Sequence, residues 1–96
     1  MIQSFGNQLA EDLFGDRQTK ATRSFPPDLR RAAQRKLQYI NAAVKLKDLA
    51  VPPGNRLEAL KGKLKNFHSI RINDQWRVVF KWNEDGASEV KVVDYH

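Results

Sequence analysis

Two runs of alternating apolar and polar residues flank a short polar turn in the second half of the chain. The runs cover residues 67–72 and 76–82, and the turn is residues 73–75. Side chains of a β-strand point alternately to its two faces, so this pattern predicts an antiparallel hairpin with one apolar face. That face would carry His68, Ile70, Ile72, Trp76, Val78, Phe80 and Trp82, and the opposite face would carry Arg71, Arg77 and Lys81.

Residues 89–95 repeat the alternation and predict a last strand, which follows a turn at residues 83–86. Val90 and Val92 would lie on one side of it, and Val93 on the other. Joining the apolar sides of the three strands is the arrangement that avoids burying several cations. We therefore expect an uncovered face that carries Arg71, Arg77, Lys81, Lys91 and Tyr95.

Apolar residues at helical spacing precede these strands and predict a long amphipathic helix. The stripe consists of Leu29, Ala33, Leu37, Ile40 and Val44. Residues 26–28 (PPD) suit the first turn, because proline is tolerated there and Asp28 complements the helix dipole. Residues 46–50 could form another helical turn, and residues 52–55 (PPGN) end it.

The remaining segments predict smaller elements. Residues 1–5 could form an edge strand, residues 7–14 a short helix capped by Asn7, and residues 15–24 a mobile polar loop. Residues 56–60 favour no one type of structure. The fold class is α+β, in which an N-terminal strand and helices pack on one face of a 3–4-stranded antiparallel sheet, and residues 1–96 form a single domain.

The composition narrows the class of partner. Lys and Arg number 17 against 11 Asp and Glu, which gives a net charge of +6 and favours an anionic partner such as nucleic acid. The chain has no cysteine, and its histidines, His68 and His96, match no metal-ligand spacing, so we expect neither metal nor cofactor. No run of about 18 apolar residues occurs, which predicts no membrane contact and a cytoplasmic protein.

The chemistry-bearing residues on and near the cationic face suit metal-independent cleavage of RNA. Glu58 could take a proton from a 2′-hydroxyl, and the arginines of the cationic face could stabilise the charge that develops on phosphorus. Tyr95 and His96 end the chain, and an imidazole that titrates near pH 6.5 could protonate the leaving 5′-oxygen.

Three motifs carry a resemblance to a known family. They are PPGNRLEALKG (residues 52–62), HSIRINDQWRVVF (residues 68–80) and the terminal VVDYH (residues 92–96). Together they resemble the RelE/HigB family of bacterial toxin–antitoxin ribonucleases, and within it the HigB-like "killer protein" branch. The resemblance implies a ribosome-dependent endoribonuclease that enters the A site of the 70S ribosome and cuts mRNA. It also implies neutralisation by a neighbouring antitoxin, of the helix-turn-helix, HigA-like kind.

The resemblance assigns roles to individual residues. Arg77 matches the arginine that stabilises the transition state, and Tyr95 and His96 match the C-terminal pair that orients substrate and moves protons. Asp94 matches an acidic residue that precedes this pair in HigB-like members. Lys61 matches a lysine placed against mRNA phosphate, a contact that Lys81 and Lys91 could extend.

The chain departs from the HigB pattern at one position. Some HigB toxins carry histidine where this chain has Glu58, whereas the YoeB branch has a glutamate that serves as general base. The YoeB branch also carries an arginine that matches Arg71. The site therefore resembles a mixture of the two branches, with Glu58 and Arg71 as further catalytic candidates.

Structural roles compete with several of these assignments. Glu58 could simply pair with a neighbouring cation, Asp94 could fix the tail, and Arg71 could be a surface residue. His68 would be a core histidine, because it falls on the apolar face. Two other functions also stay open: a ParE-like gyrase toxin that has no nuclease residues, and a plain basic RNA- or ribosome-binding module. An adjacent antitoxin gene would argue for a toxin over the binding module.

Overall fold

A computed structural model describes residues 1–95, and these form three helices, four strands and connecting 3₁₀ turns. The helices are α1 (Gln8–Phe14), α2 (Lys20–Arg23) and α3 (Arg30–Ala42). The strands are β1 (Glu58–Ala59), β2 (Phe67–Arg71), β3 (Trp76–Asn83) and β4 (Gly86–Asp94). The 3₁₀ turns are Pro27–Leu29, Leu46–Ala50, Pro53–Asn55 and Gly62–Leu64.

The strands form one antiparallel sheet in the order β1-β2-β3-β4. Ile70 pairs with Val78, which pairs with Val92, so the apolar sides of three strands coincide. α1 and α3 pack against this side, and the predicted α+β class is confirmed. In residues 1–95, no helix has the length and apolar character needed to cross a membrane.

The N-terminal segment borders β4. Ile2 and Phe5 make isolated parallel bridges to Ala87 and Val90, so residues 1–5 lie at the predicted edge without forming a continuous strand. α1 begins at the predicted cap, because the Asn7 side chain accepts a hydrogen bond from the Ala10 backbone amide at 3.0 Å. The same side chain donates to the Val92 carbonyl at 2.9 Å and so ties the start of α1 to β4.

The segment predicted as a mobile loop, residues 15–24, instead contains α2. Thr19 caps this helix and donates its hydroxyl hydrogen to the carboxylate of Asp12 at 2.8 Å. Asp12 is buried and also accepts from Gln8 at 2.9 Å, and its hydrogen bonds with Gln8 and Thr19 hold its pKa below the usual 3.8. The prediction was wrong because the partner that orders the segment belongs to α1.

α3 supplies most of the helical contribution to the core. Ala33, Leu37 and Ile40 are fully buried, as the stripe predicts, and they join Ile70, Val78, Phe80, Val90 and Val92 of the sheet. Val44 is the exception, with 81% of its surface exposed. The helix ends at Ala42 and Ala43 is extended, so Val44 does not follow the helical stripe.

β4 starts three residues earlier than predicted and contains an irregularity in its pairing with β3. Glu89 has a φ of 51°, in the left-handed region, and adds one residue opposite Phe80. Ala87 and Val90, which simple alternation would place on opposite faces, are therefore both buried. A β-bulge of this kind hides the first half of the strand from an analysis of period-two patterns.

Replacing Leu37 by alanine tests the packing of α3. Because Leu37 is fully buried, Leu37→Ala should lower the free energy of unfolding by about 2–5 kcal/mol. Val44→Ala is the matched control and should change it little, because Val44 is exposed. Chemical denaturation measures both, and equal costs would contradict the packing described above.

The Asp12 hydrogen bonds predict a dependence of stability on pH. The pKa of Asp12 is lowered on folding, so its contribution is complete above about pH 3.8 and is lost as the pH falls through the folded pKa. Asp12→Asn should lower the melting temperature at neutral pH and reduce the further loss on acidification. Glu84→Gln, at an exposed turn, serves as a control. Parallel acid-melting curves for Asp12→Asn and the unmodified chain would contradict the assignment.

Candidate functional site

The side of the sheet opposite the helices, here called the open face, carries the predicted cations. The register places Arg71 beside Arg77, and Arg77 beside Val93. Two residues farther along β3 on the same face, Val79 pairs with Lys91 of β4. Two residues beyond that, Lys81 pairs with Phe67 of β2. The alternation along β2, β3 and β4 thus sorted these residues to the correct side.

Arg77 is the centre of a group of contacts at one end of the open face. Its Nη2 lies 3.3 Å from Oε1 of Glu58, and its Nη1 donates to the Ser69 hydroxyl oxygen at 2.9 Å. The guanidinium carbon is 5.2 Å from the centre of the Tyr95 ring, within the range of a cation–π contact. We call Glu58, Ser69, Arg77 and Tyr95 the Arg77 cluster.

The exposure of these side chains differs in a way that suits an anion site. Only 14% of the Arg77 side chain is exposed, whereas 50% of the Glu58 side chain and 37% of Tyr95 are exposed. The guanidinium is therefore held by a buried hydroxyl, that of Ser69, and by two side chains that are open to solvent, Glu58 and Tyr95. A partly desolvated, fixed cation interacts more strongly with an incoming anion than a fully hydrated one does.

The segment before β1 sets the position of Glu58. Arg56 has a left-handed backbone with a φ of 47°, and its carbonyl accepts from Nη1 of Arg77 at 3.4 Å. The preceding Asn55 is fully buried, donates to the Leu49 carbonyl at 3.1 Å and accepts from the Lys36 ammonium. Burial lowers the pKa of Lys36. A buried polar contact from α3 thus anchors the turn that leads into β1.

Ser69 and the Arg56 carbonyl are site groups that the sequence analysis missed. Ser69 shares the strand face of Arg71 and lies opposite Glu58 in the β1–β2 register. A small hydroxyl residue on a face of large cations was the available signal, but its meaning depends on the pairing of β1. The role of Arg56 had no signal, because it comes from the backbone rather than the side chain.

Arg71 and Asp94 make contacts of their own near the Arg77 cluster. Arg71 forms an ion pair with Asp74 in the β2–β3 turn. Asp94 accepts from the Gln75 side chain at 2.9 Å and pairs in register with Trp76, on the side that the helices cover. The catalytic assignments of both residues stay predictions.

The predicted phosphate-binding lysines lie farther along the same surface. The ammonium groups of Lys81 and Lys91 are 5.1 and 5.2 Å from the centre of the Phe67 ring. Lys81 also pairs with Glu89 at 2.9 Å, and this hydrogen bond lowers the pKa of Glu89. Lys61 is exposed and lies two residues after the end of β1.

Of the two histidines, only His68 belongs to the described residues. His96, the predicted proton donor, lies outside the described residues. His68 is half-buried on the helix side, with its ring 6.2 Å from that of Phe80. Its buried Nδ1 has no hydrogen-bond partner among the described residues, so the prediction of a satisfied core histidine holds for its side of the sheet but not for its hydrogen bonding. Among residues 1–95, no group of three or more histidine or acidic side chains is arranged to hold a metal ion.

Concave surfaces occur away from the Arg77 cluster. A cavity of about 270 Å³ is lined by Gln18, Thr22, Arg23, Phe25, Pro27 and Arg30. None of these residues was predicted to belong to the site. Two members of the Arg77 cluster, Glu58 and Tyr95, are open to solvent, which suits a long polymer better than an enclosed small molecule.

Comparisons with known proteins bear on the whole chain. A family model described as a RelE-like toxin of the type II toxin–antitoxin system HigB matches residues 3–96. Toxin HigB-1 of Vibrio cholerae is 38% identical over 96 residues, which cover 100% of this chain and 98% of that protein. An uncharacterised protein of Haemophilus influenzae is 36% identical over 77 residues, or 80% of this chain and 72% of that protein.

A solved structure supports the fold independently. The YoeB–YefM complex from Staphylococcus aureus contains a chain that superposes with a TM-score of 0.63 at 21% identity, covering 100% of this chain and 95% of that one. With the family model and the Vibrio relative matching essentially the full length, the chain belongs to the HigB-like family of RelE-like toxins of type II toxin–antitoxin systems.

Proposed function

We propose that this chain is a ribosome-dependent endoribonuclease that cleaves mRNA without a metal ion and so inhibits translation. The observation that carries the proposal is the convergence of Glu58 and Tyr95 on Arg77, with Nη2 of Arg77 3.3 Å from Glu58 and its guanidinium carbon 5.2 Å from the Tyr95 ring. A base, a fixed cation and an aromatic ring on an open face suit the cleavage of a single-stranded polyanion.

The proposed reaction is attack by a 2′-oxygen on the adjacent phosphorus. Glu58 takes the 2′-hydroxyl proton, and the new oxygen–phosphorus bond forms as the bond to the 5′-oxygen breaks. His96 gives a proton to that leaving oxygen, and the products are a 2′,3′-cyclic phosphate and a 5′-hydroxyl. Arg77 stabilises the extra negative charge that the phosphorane carries between these events.

The Arg77–Glu58 ion pair of the free protein is compatible with these reaction steps. Arg77 makes hydrogen bonds to Ser69 and to the Arg56 carbonyl as well as to Glu58, so a phosphate can replace Glu58 while the guanidinium stays in place. Exchanging one oxyanion for another at Arg77 releases the Glu58 carboxylate beside the bound nucleotide. In the free protein, Glu58 would then lie next to the position where it acts as a base, while its carboxylate is paired with Arg77.

Other residues would support binding. Tyr95 would orient the nucleotide at the scissile phosphate, and Arg71 and Asp94 would fix the substrate and the tail. Lys61, Lys81 and Lys91 would bind phosphates along the RNA. The +6 net charge favours association with the 70S ribosome, whose A site would present the mRNA and place the activity in the cytoplasm.

An antitoxin would be the second partner. Family membership supports this, because the matched model describes the toxin of a type II toxin–antitoxin system. YoeB, the toxin with the similar fold, was solved in complex with YefM. We infer that an antitoxin of the HigA kind, with a helix-turn-helix, binds and neutralises this chain.

Arg77→Ala tests the central assignment. If Arg77 stabilises charge that exists only in the transition state, the substitution should lower single-turnover cleavage of mRNA on programmed ribosomes by about 10²–10³-fold. Ribosome affinity should fall far less. Arg31→Ala, on the exposed side of α3, is the control and should change neither. Equal losses of rate and affinity would make Arg77 a docking residue.

The C-terminal pair is tested by separate substitutions. Loss of a positioned acid should lower cleavage by about 10²–10⁴-fold in His96→Gln. Tyr95→Phe keeps the ring that faces Arg77 and should retain more activity than Tyr95→Ala. All three should retain the melting temperature and the affinity for the antitoxin, because Tyr95 is exposed. Undiminished cleavage by His96→Gln would remove the tail from the mechanism, and growth arrest without any mRNA cleavage would favour a ParE-like target.

A further inference from the structure

Phe67, the first residue of β2, places a phenyl ring on the open face, away from the Arg77 cluster. Phe67 is only 8% exposed, although the helices pack against the other side of the sheet. Two lysine side chains cover it: the Lys81 and Lys91 ammonium groups lie 5.1 and 5.2 Å from the ring centre. Two flexible, charged side chains therefore lie against this ring.

Both lysines are directed to the ring by the sheet and its edge. Lys81 is the register partner of Phe67 on β3 and is 43% exposed while paired with Glu89. Lys91 is stacked on the N-terminal segment, because a methyl group added at Gly6 would fall 2.7 Å from both Cγ and Cε of Lys91. One aromatic ring therefore lies within about 5 Å of two cations whose long stems can move aside.

We propose that Phe67, Lys81 and Lys91 form a nucleotide-binding subsite, in which the phenyl ring stacks on one base of single-stranded RNA and the two ammonium groups bind flanking phosphates. The inference rests on the proposed function for its ligand class. Aromatic rings next to cations are the common means of binding single-stranded RNA, since every base offers a flat face to stack on.

The position of the subsite fits one continuous RNA path. Lys81 is four residues from Arg77 along β3, and a strand advances about 3.3 Å per residue, which places the ring about 13 Å from the Arg77 cluster. β1 borders the same path, from Glu58 opposite Ser69 to Leu60, whose amide donates to the Phe67 carbonyl at 2.9 Å. The subsite would therefore hold a nucleotide some positions away from the scissile phosphate.

Glu89 gives the free protein a closed state of this subsite. Its carboxylate pairs with Lys81, and its pKa is lowered mainly by that hydrogen bond and further by the charge of Lys91. An RNA phosphate would compete with this carboxylate for Lys81. When Lys81 turns to a phosphate, its stem leaves the ring and exposes the stacking surface.

The experiment uses a short single-stranded RNA whose riboses are 2′-O-methylated, so that it binds but cannot be cleaved. A single abasic position is moved along it, and affinity is measured at low ionic strength for the full chain and for Phe67→Leu. Stacking of this kind is worth roughly 5- to 150-fold in affinity. For the unmodified chain, an abasic site at one position should lower the RNA affinity by that factor. Phe67→Leu should bind the intact RNA more weakly by a similar factor, and the same abasic site should then lower its affinity no further.

Two further variants separate stacking from folding. Phe67→Trp should restore the dependence on that base, because it keeps a flat aromatic surface. Phe14→Leu removes a phenyl ring that contacts Phe5 near α1, away from the open face, and should leave the abasic profile unchanged. Lys81→Gln should lower the salt dependence of binding without moving the sensitive position.

Three results would overturn the subsite. They are additive effects of Phe67→Leu and the abasic position, no binding of this RNA by the unmodified chain, and a loss of antitoxin affinity in Phe67→Leu with RNA affinity unchanged. The last would make the ring a protein-docking point. A failure of the nuclease proposal is seen separately, as intact mRNA on programmed ribosomes, because the binding assay requires no cleavage.

Discussion

The register of the sheet is the constraint on which both the core and the candidate site depend. Ile70, Val78 and Val92 form one row across three strands and are covered by α3. Side chains alternate along a strand, so a slip of one residue would move these groups to solvent and carry Arg77 into the core. The same burial that stabilises the fold therefore fixes the guanidinium on the open face.

Alternation and helical spacing were enough to predict the architecture and the sorting of the faces. The stripe of α3 and the positions of Arg71, Arg77 and Lys91 follow from local periodicity, because the core requires it. The errors arose where a distant partner decides the local structure. α2 depends on Asp12 of α1, and the first half of β4 depends on a bulge at Glu89. Val44 was misplaced because α3 ends at Ala42, before the apolar stripe does.

In the candidate site too, some residues could be predicted from the sequence, whereas others depend on tertiary contacts. Glu58, Arg77 and Tyr95 could be proposed from residue type, strand parity and family resemblance together. The groups that hold Arg77 could not, since the Ser69 hydroxyl and the Arg56 carbonyl acquire a role only when β1 pairs with β2. The Lys36–Asn55 contact is also distant in sequence, because it links α3 to a turn 19 residues away. Such supporting contacts are tertiary and leave no periodic signal.

The tie between Asn7 and Val92 has a consequence for synthesis. These residues are separated by 85 positions, and the bridges from Ile2 and Phe5 also reach β4. On a translating ribosome, α1 emerges well before the strand on which it docks, and Tyr95 emerges after both. Contacts this distant in sequence form late. The nascent chain consequently has neither its second sheet edge nor its complete Arg77 cluster until residues 86–95 have emerged.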